Sequence, residues 1–194
     1  MRAGIEIDEI GPDRLGDYAE VSAAFKVTSV LEIELVDQGL GGILLWEHVA
    51  PPYEKDYDAL DGGPVTWAET FDVRNWGFLL ASDGNRPVGG AVIAYRTPEV
   101  RMLEERDDLG VLWDLRVAPD DRGEGVGHAL FWAAAHWCEA RGCRQMKIET
   151  QNTNVPACRF YRRQGCELGQ IHRYAYDRDS DVADEVMLIW YLAL

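Results

Sequence analysis

Leu112-Trp113-Asp114-Leu115-Arg116-Val117-Ala118-Pro119 and, after two aspartates, Arg122-Gly123-Glu124-Gly125-Val126-Gly127 form the stretch on which the fold of this chain turns. Residues 111–117 read as a strand that runs into a glycine-rich turn. A helix follows over about 125–141, with Val126, Leu130, Ala133, Ala134 and Trp137 on one stripe and Gly142 just past its end. Residues 145–150 then read as a strand, and 154–164 as a short helix closed by Gly165. Strand, helix, strand in that order predict a parallel βαβ crossover.

Working outward, two strand signals at 76–81 and 88–95 flank Ser82-Asp83-Gly84-Asn85-Arg86-Pro87 and predict an antiparallel hairpin. Residues 5–10 alternate weakly as a first strand ending at Gly11-Pro12, and 185–192 make an apolar last one. Over 13–37 the stripe Val27, Val30, Leu31 and Leu35 suits a helix or broken helix, with some strand character. Residues 39–42 break it, 43–49 read as a strand, and 50–72 read as irregular. With no repeat, low-complexity tract or linker, the expectation is one domain over 1–194, an α/β (α+β) fold with a mixed sheet.

A formal charge of −15 sets aside nucleic acid, whose phosphates need a basic face. It suits a cationic small molecule, and it equally suits plain solubility. No apolar run reaches the roughly 18 residues that span a bilayer, so no membrane partner is expected. The start, Met-Arg-Ala-Gly-Ile-Glu-Ile-Asp-Glu, lacks the order of a secretory signal, and a cytoplasmic location is expected. Cys138, Cys143, Cys158 and Cys166 have no Cys-x-x-Cys spacing and His48, His128, His136 and His172 are scattered, so buried thiols are expected and no metal. Nothing in the sequence sets the oligomeric state, and a homodimer stays open.

The glycine turn fits a phosphate site. It would present backbone N–H groups at the positive end of a helix dipole, and glycines let a ligand approach without Cβ clashes. A dinucleotide fold would place such glycines after its first strand, and here they follow a hairpin. A P-loop would carry Gly-Lys-Ser or Gly-Lys-Thr, and neither occurs.

The turn and the later Asn154-x-x-Ala157-x-x-Phe160-Tyr161-x-x-x-Gly165 together resemble the GNAT acetyltransferase superfamily. The resemblance implies a mostly antiparallel twisted sheet flanked by helices, with the parallel βαβ unit as the acetyl-CoA-binding core. Its Gln/Arg-x-x-Gly-x-Gly/Ala motif, which binds the CoA pyrophosphate, falls on Arg122, Gly123, Glu124, Gly125, Val126 and Gly127, with His128 next in line. Backbone pairing with pantetheine carries over to Leu115 and Val117, with Arg116 between them. The pantetheine-bonding Asn becomes Asn154, near Ala157, and the Tyr beside the CoA sulfur becomes Tyr161.

Glu149-Thr150-Gln151-Asn152-x-Asn154-x-Pro156-Ala157-Cys158-x-Phe160-Tyr161 is further similar to streptothricin acetyltransferases, which acetylate an amine of an antibiotic's β-lysine. Pro52-Tyr53-x-Lys55-Asp56-Tyr57 and the ending from Asp184-Glu185-Val186 to Trp190-Tyr191-Leu192 share that likeness. Two departures stand out: Cys166 replaces a usual Phe, and 62–97 reads as a longer insert that reshapes the acceptor pocket. Tyr53, Asp56, Tyr57 and Trp113 are the candidate substrate-binding groups, and Asp58 is a further possible cation binder beside the first three, a solvated loop being the alternative for that segment. The run Asp177-Arg178-Asp179-Ser180-Asp181 reads as a solvated loop or as one wall of an acceptor cleft.

A lysine-like amine with a pKa of ~10.4 is neutral in only about one molecule in 2500 at pH 7, a deficit of roughly 4–5 kcal/mol. Asp114 is the first candidate base, because strand alternation sends Asp114 and Arg116 opposite a core-facing Leu115 and Val117. Glu149 is the second, a water relay the third, and a structural Asp114–Arg116 ion pair the alternative role for Asp114. Tyr161 is the candidate general acid for the leaving thiolate, core packing beside Phe160 being its alternative role. The oxyanion is expected at backbone N–H near Leu115 or Val117. Other acceptors stay open: a protein lysine or N-terminus, an aminoglycoside, or none, if the chain is a non-catalytic acyl-CoA sensor.

Overall fold

The computed structural model describes residues 4–176 and 180–194. Asp177, Arg178 and Asp179 of the acidic run therefore lie outside the described residues. Nine strands and five helices follow in the order β1 (Ile5–Glu9), α1 (Leu15–Ala19), β2 (Phe25–Val36), β3 (Gly42–Lys55), α2 (Asp58–Asp61), α3 (Trp67–Thr70), β4 (Gly77–Asp83), β5 (Arg86–Ala94), β6 (Leu109–Val117), α4 (Val126–Glu139), β7 (Gln145–Gln151), α5 (Val155–Arg163), β8 (Glu167–His172) and β9 (Met187–Ala193) among the described residues. The architecture is mixed α/β, a mostly antiparallel sheet flanked by helices, with hydrogen-bonded order β1-β4-β5-β6-β7-β9-β8 and a separate β2–β3 ribbon. The β6–β7 pair is parallel, as the crossover predicts. No described helix is long and apolar enough to cross a membrane.

The chain divides into two compact units. The first comprises the chain to Ala24, Asp56–Ile148 and Tyr191–Leu194. Its centre is the β4–β5 hairpin, closed by the two residues Gly84-Asn85 and antiparallel throughout. This hairpin lies inside the stretch 62–97, where Phe78-Leu79-Leu80-Ala81 and Ala91-Val92-Ile93-Ala94 are buried as core, so from Gly77 onward that stretch belongs to the sheet. Helix α4 packs on β4, β5 and β6, burying Val126, Leu130, Phe131, Ala134, Ala135, Trp137 and Cys138. Around Tyr18 the core is aromatic, with Trp67 edge-on at 6.0 Å. A Cβ at Gly90 would stand 2.1 Å from the Tyr18 ring, so a glycine there is what lets α1 lie against the sheet.

The second unit comprises Phe25–Lys55 and Glu149–Trp190. Here the helix expected over 13–37 gives way: α1 covers five residues, and Phe25–Val36 is a strand paired with β3 from Phe25↔Lys55 to Val36↔Gly42. Leu31, Ile33 and Leu35 alternate with Glu32 and Glu34, a period of two that the i, i+3, i+4 spacing of Val27, Val30 and Leu31 disguised. The ladder jumps from Val27↔Tyr53 to Ser29↔Val49, and that irregularity accommodates Pro51-Pro52, which a regular ladder would reject. Residues 50–72 are thus more ordered than expected: strand to Lys55, then α2 and α3. All four cysteines are buried free thiols.

Candidate active site

In the first unit, β6 pairs with β5 along its far half, from Val92↔Asp114 to Gly89↔Val117. Its pairing with β7 ends at Leu112↔Ile148. Among the described residues, 114–117 therefore have ladder partners on one side only. A bulge makes Trp113 the extra residue between Ile93↔Leu112 and Val92↔Asp114. Trp113 accordingly turns into the aromatic cluster with Phe71 at 5.2 Å and Trp76 at 5.3 Å, where it is half-buried.

The residues beyond the bulge reverse one expectation. Arg116 is buried, whereas Leu115 and Val117 are only half-buried. Arg116 donates to Asp114 through Nε at 2.7 Å and to Asp58 through Nη1 at 2.6 Å and Nη2 at 3.0 Å, with a further bond to the Val21 carbonyl. The Tyr18 hydroxyl donates to Asp114. Burial, and then the charge of Asp114, push that phenol well above its ordinary pKa, so it stays a donor. Asp114 accepts from Arg116 twice and from Tyr18 once, which occupies most of its acceptor sites. The Arg116 guanidinium is likewise committed to protein partners.

Arg122 comes next in the chain and staples the turn: Nε donates to the Val117 carbonyl at 2.9 Å and Nη2 to that of Ala24 at 2.7 Å. Gly123 and Gly125 sit at φ 87° and 85°, left-handed values that favour glycine. Gly127 lies within α4 and has no such requirement. Gly125 caps α4 without a side-chain hydrogen bond. The first helical bond runs from Ala129 N–H to the Gly125 carbonyl, so the N–H groups of Val126 and Gly127 begin the helix ahead of that ladder. Glu124 is exposed, as is His128, whose ring lies 6.5 Å from that of Trp132.

In the second unit, Asn154 caps α5 by accepting from Ala157 N–H at 3.2 Å. The helix closes on Gly165: Cys166 N–H bonds the Tyr161 carbonyl and Gly165 N–H that of Arg162, a Schellman pair that fixes the backbone of Tyr161. Tyr161 is buried, edge-on to Phe160 at 5.3 Å. On β7, Glu149 and Gln151 share a face, and Gln151 Nε2 donates to Glu149 Oε1 at 3.1 Å. The Tyr176 hydroxyl donates to the same oxygen at 2.9 Å. Asn152 has a structural task, exchanging backbone and side-chain bonds with Leu31 and Val186. Of the acceptor candidates, Tyr53 is 43% exposed on β3. Asp56 accepts from Asp58 N–H at 3.1 Å, and Tyr57 precedes α2.

A model of the acetyltransferase (GNAT) family matches residues 42–166, more than half of the chain. The chain belongs to the GNAT acetyltransferase family. As a GNAT protein it is an acetyl-CoA-dependent acetyltransferase, and acetyl-CoA is its co-substrate. Streptothricin acetyltransferase of Escherichia coli is 28% identical over 181 residues, 93% of this chain and 91% of that protein. The Streptomyces lavendulae enzyme of the same name is 29% identical over 148 residues, 75% of this chain and 72% of its own length. Among solved structures, a Bacillus anthracis acetyltransferase in complex with acetyl coenzyme A superposes with a TM-score of 0.77 at 25% identity, covering 98% of this chain and 99% of that one. A nourseothricin acetyltransferase shares the fold, with a TM-score of 0.76 at 23% identity and coverage of 98% and 99%.

Four residues that hold the candidate groups were not read in that role from the sequence: Tyr18, Tyr176, Gln151, which was quoted only within a motif, and Asp58, which was read only as a possible cation binder. Gln151 carried a usable signal, two residues from Glu149 on a strand. The other three meet their partners only through the fold.

Proposed function

We propose that this acetyltransferase moves the acetyl group of acetyl-CoA to a primary amine of a streptothricin-class antibiotic, in the cytoplasm. The observation that carries the acceptor is the span of the likeness to the E. coli streptothricin acetyltransferase, 93% of this chain and 91% of that protein. It reaches well beyond the glycine turn and α5, which speak only for the donor.

In this proposal the pyrophosphate lies at the N-terminus of α4, where Gly123 and Gly125 keep the backbone accessible and Val126 and Gly127 donate. Arg122 shapes the turn through its two carbonyl bonds. The unpaired side of β6 at Leu115 and Val117 bonds the pantetheine arm and receives the oxyanion, and Asn154 offers its amide nitrogen. Tyr53, Asp56, Tyr57 and Trp113 supply aromatic and anionic surface for a cationic acceptor. Glu149, directly or through one water, takes the proton of the attacking amine. Nitrogen bonds to the thioester carbon, the carbon–sulfur bond breaks, and Tyr161 protonates the leaving thiolate. Asp114 is then a holding residue for Arg116 and α2, and the base role passes to Glu149. The buried thiols take no covalent part.

The test is thiol release from acetyl-CoA across streptothricin, an aminoglycoside, a polyamine and a lysine peptide. Streptothricin is expected to give the highest kcat/KM. Faster turnover of another amine would move the acceptor to that class, and a silent panel would refute the streptothricin assignment together with the other three acceptor classes.

A further inference from the structure

We propose that Tyr176 is a positioning residue for acetyl transfer, orienting the Glu149 carboxylate together with Gln151. The inference rests on Glu149 being the base.

The three side chains form a closed triangle within the second unit. Tyr176 Oη donates to Glu149 Oε1 at 2.9 Å, Gln151 Nε2 donates to the same oxygen at 3.1 Å, and Gln151 Nε2 also donates to Tyr176 Oη at 2.9 Å. Gln151 reaches Glu149 by strand geometry alone. Tyr176 lies 27 residues from Glu149, beyond β8, so only the return of the chain delivers its hydroxyl. Burial first, and the charge of Glu149 second, drive the phenol well above its ordinary pKa. It therefore stays a proton donor across the working range and cannot compete as a base. Two donors on one oxygen favour the ionised carboxylate and fix its rotamer. Among the described residues Glu185 also acts on Tyr176 by its charge, and Lys55 pairs with Glu185 at 2.5 Å.

In Tyr176→Phe one of the two donors is lost, so the acid-side break in the pH dependence of kcat/KM should move up by roughly half a unit to one unit. Turnover at neutral pH should fall about tenfold, with acetyl-CoA affinity unchanged. Gln151→Leu removes the other donor and should move the break the same way, which serves if Tyr176→Phe does not fold. In a Glu149→Gln background Tyr176→Phe should cause no further loss, because its effect passes through the carboxylate. A lowered rate with an unmoved break, or full additivity with Glu149→Gln, overturns the positioning role. If Glu149→Gln alone leaves rate and break at their wild-type values, the base assignment itself fails.

Discussion

The Arg116 side chain is 1% exposed and holds Asp114 and Asp58 at once. Burial works against its charge, yet the two carboxylates outweigh that and its pKa rises. Asp114→Asn removes one of the two anionic partners, and a loss of about 1–3 kcal/mol is expected, read as a lower urea midpoint. The acid-side break of the pH–rate profile should stay in place; if it moves or flattens, Asp114 is the base after all. Tyr161 carries the opposite expectation. Tyr161→Phe should cut turnover at least ~10-fold while calorimetry gives an acetyl-CoA affinity near wild type. Unchanged turnover would remove it as the acid. Tyr161 and Asn154 were legible because they fall in one contiguous motif, as was the Asp114-x-Arg116 pair as a possible ion pair. Tyr18 was not, and Asp58 was legible only as a possible cation binder and not as the partner of Arg116, since the two reach Asp114 and Arg116 across 96 and 58 residues, and no local pattern spans such distances.

At the scale of elements, the turn before α4 combines a backbone requirement with an electrostatic one. Gly125 sits at φ 85°, where any other L-residue is strained by roughly 1–2 kcal/mol. Gly125→Glu adds a negative charge at the helix end assigned to the pyrophosphate. Acetyl-CoA binding should disappear while the circular dichroism spectrum is kept, and retained binding would refute the phosphate-loop assignment. The glycines, helix α4, β7 and α5 could all be placed from sequence, because each combines a periodic stripe with a stop signal. Strand β2 could not, since its spaced valines match a helix as well as a bulged strand. The bulge at Trp113 was equally hidden: it depends on how β5 lies beside β6, and it decides which side chains share a face.

For the whole molecule, a formal charge of −15 sets a general field. If that field steers a cationic acceptor, its kcat/KM should fall as salt is raised from about 0.01 to 0.5 M, with that of a neutral amine unaffected. Equal salt dependence would reduce the charge to a matter of solubility. The two compact units add a constraint of connectivity, because the chain passes between them four times, at Ala24/Phe25, Lys55/Asp56, Ile148/Glu149 and Trp190/Tyr191. We expect one cooperative unfolding transition, with calorimetric and van't Hoff enthalpies equal; two resolved transitions would contradict a single domain. Interleaving also governs how such an enzyme can be rebuilt. The unit that carries Glu149, Tyr161 and Tyr176 is not a cassette between two cut sites. Grafting it from a relative means exchanging Phe25–Lys55 and Glu149–Trp190 together. A chimera that trades only one of them inherits half of a module from each parent.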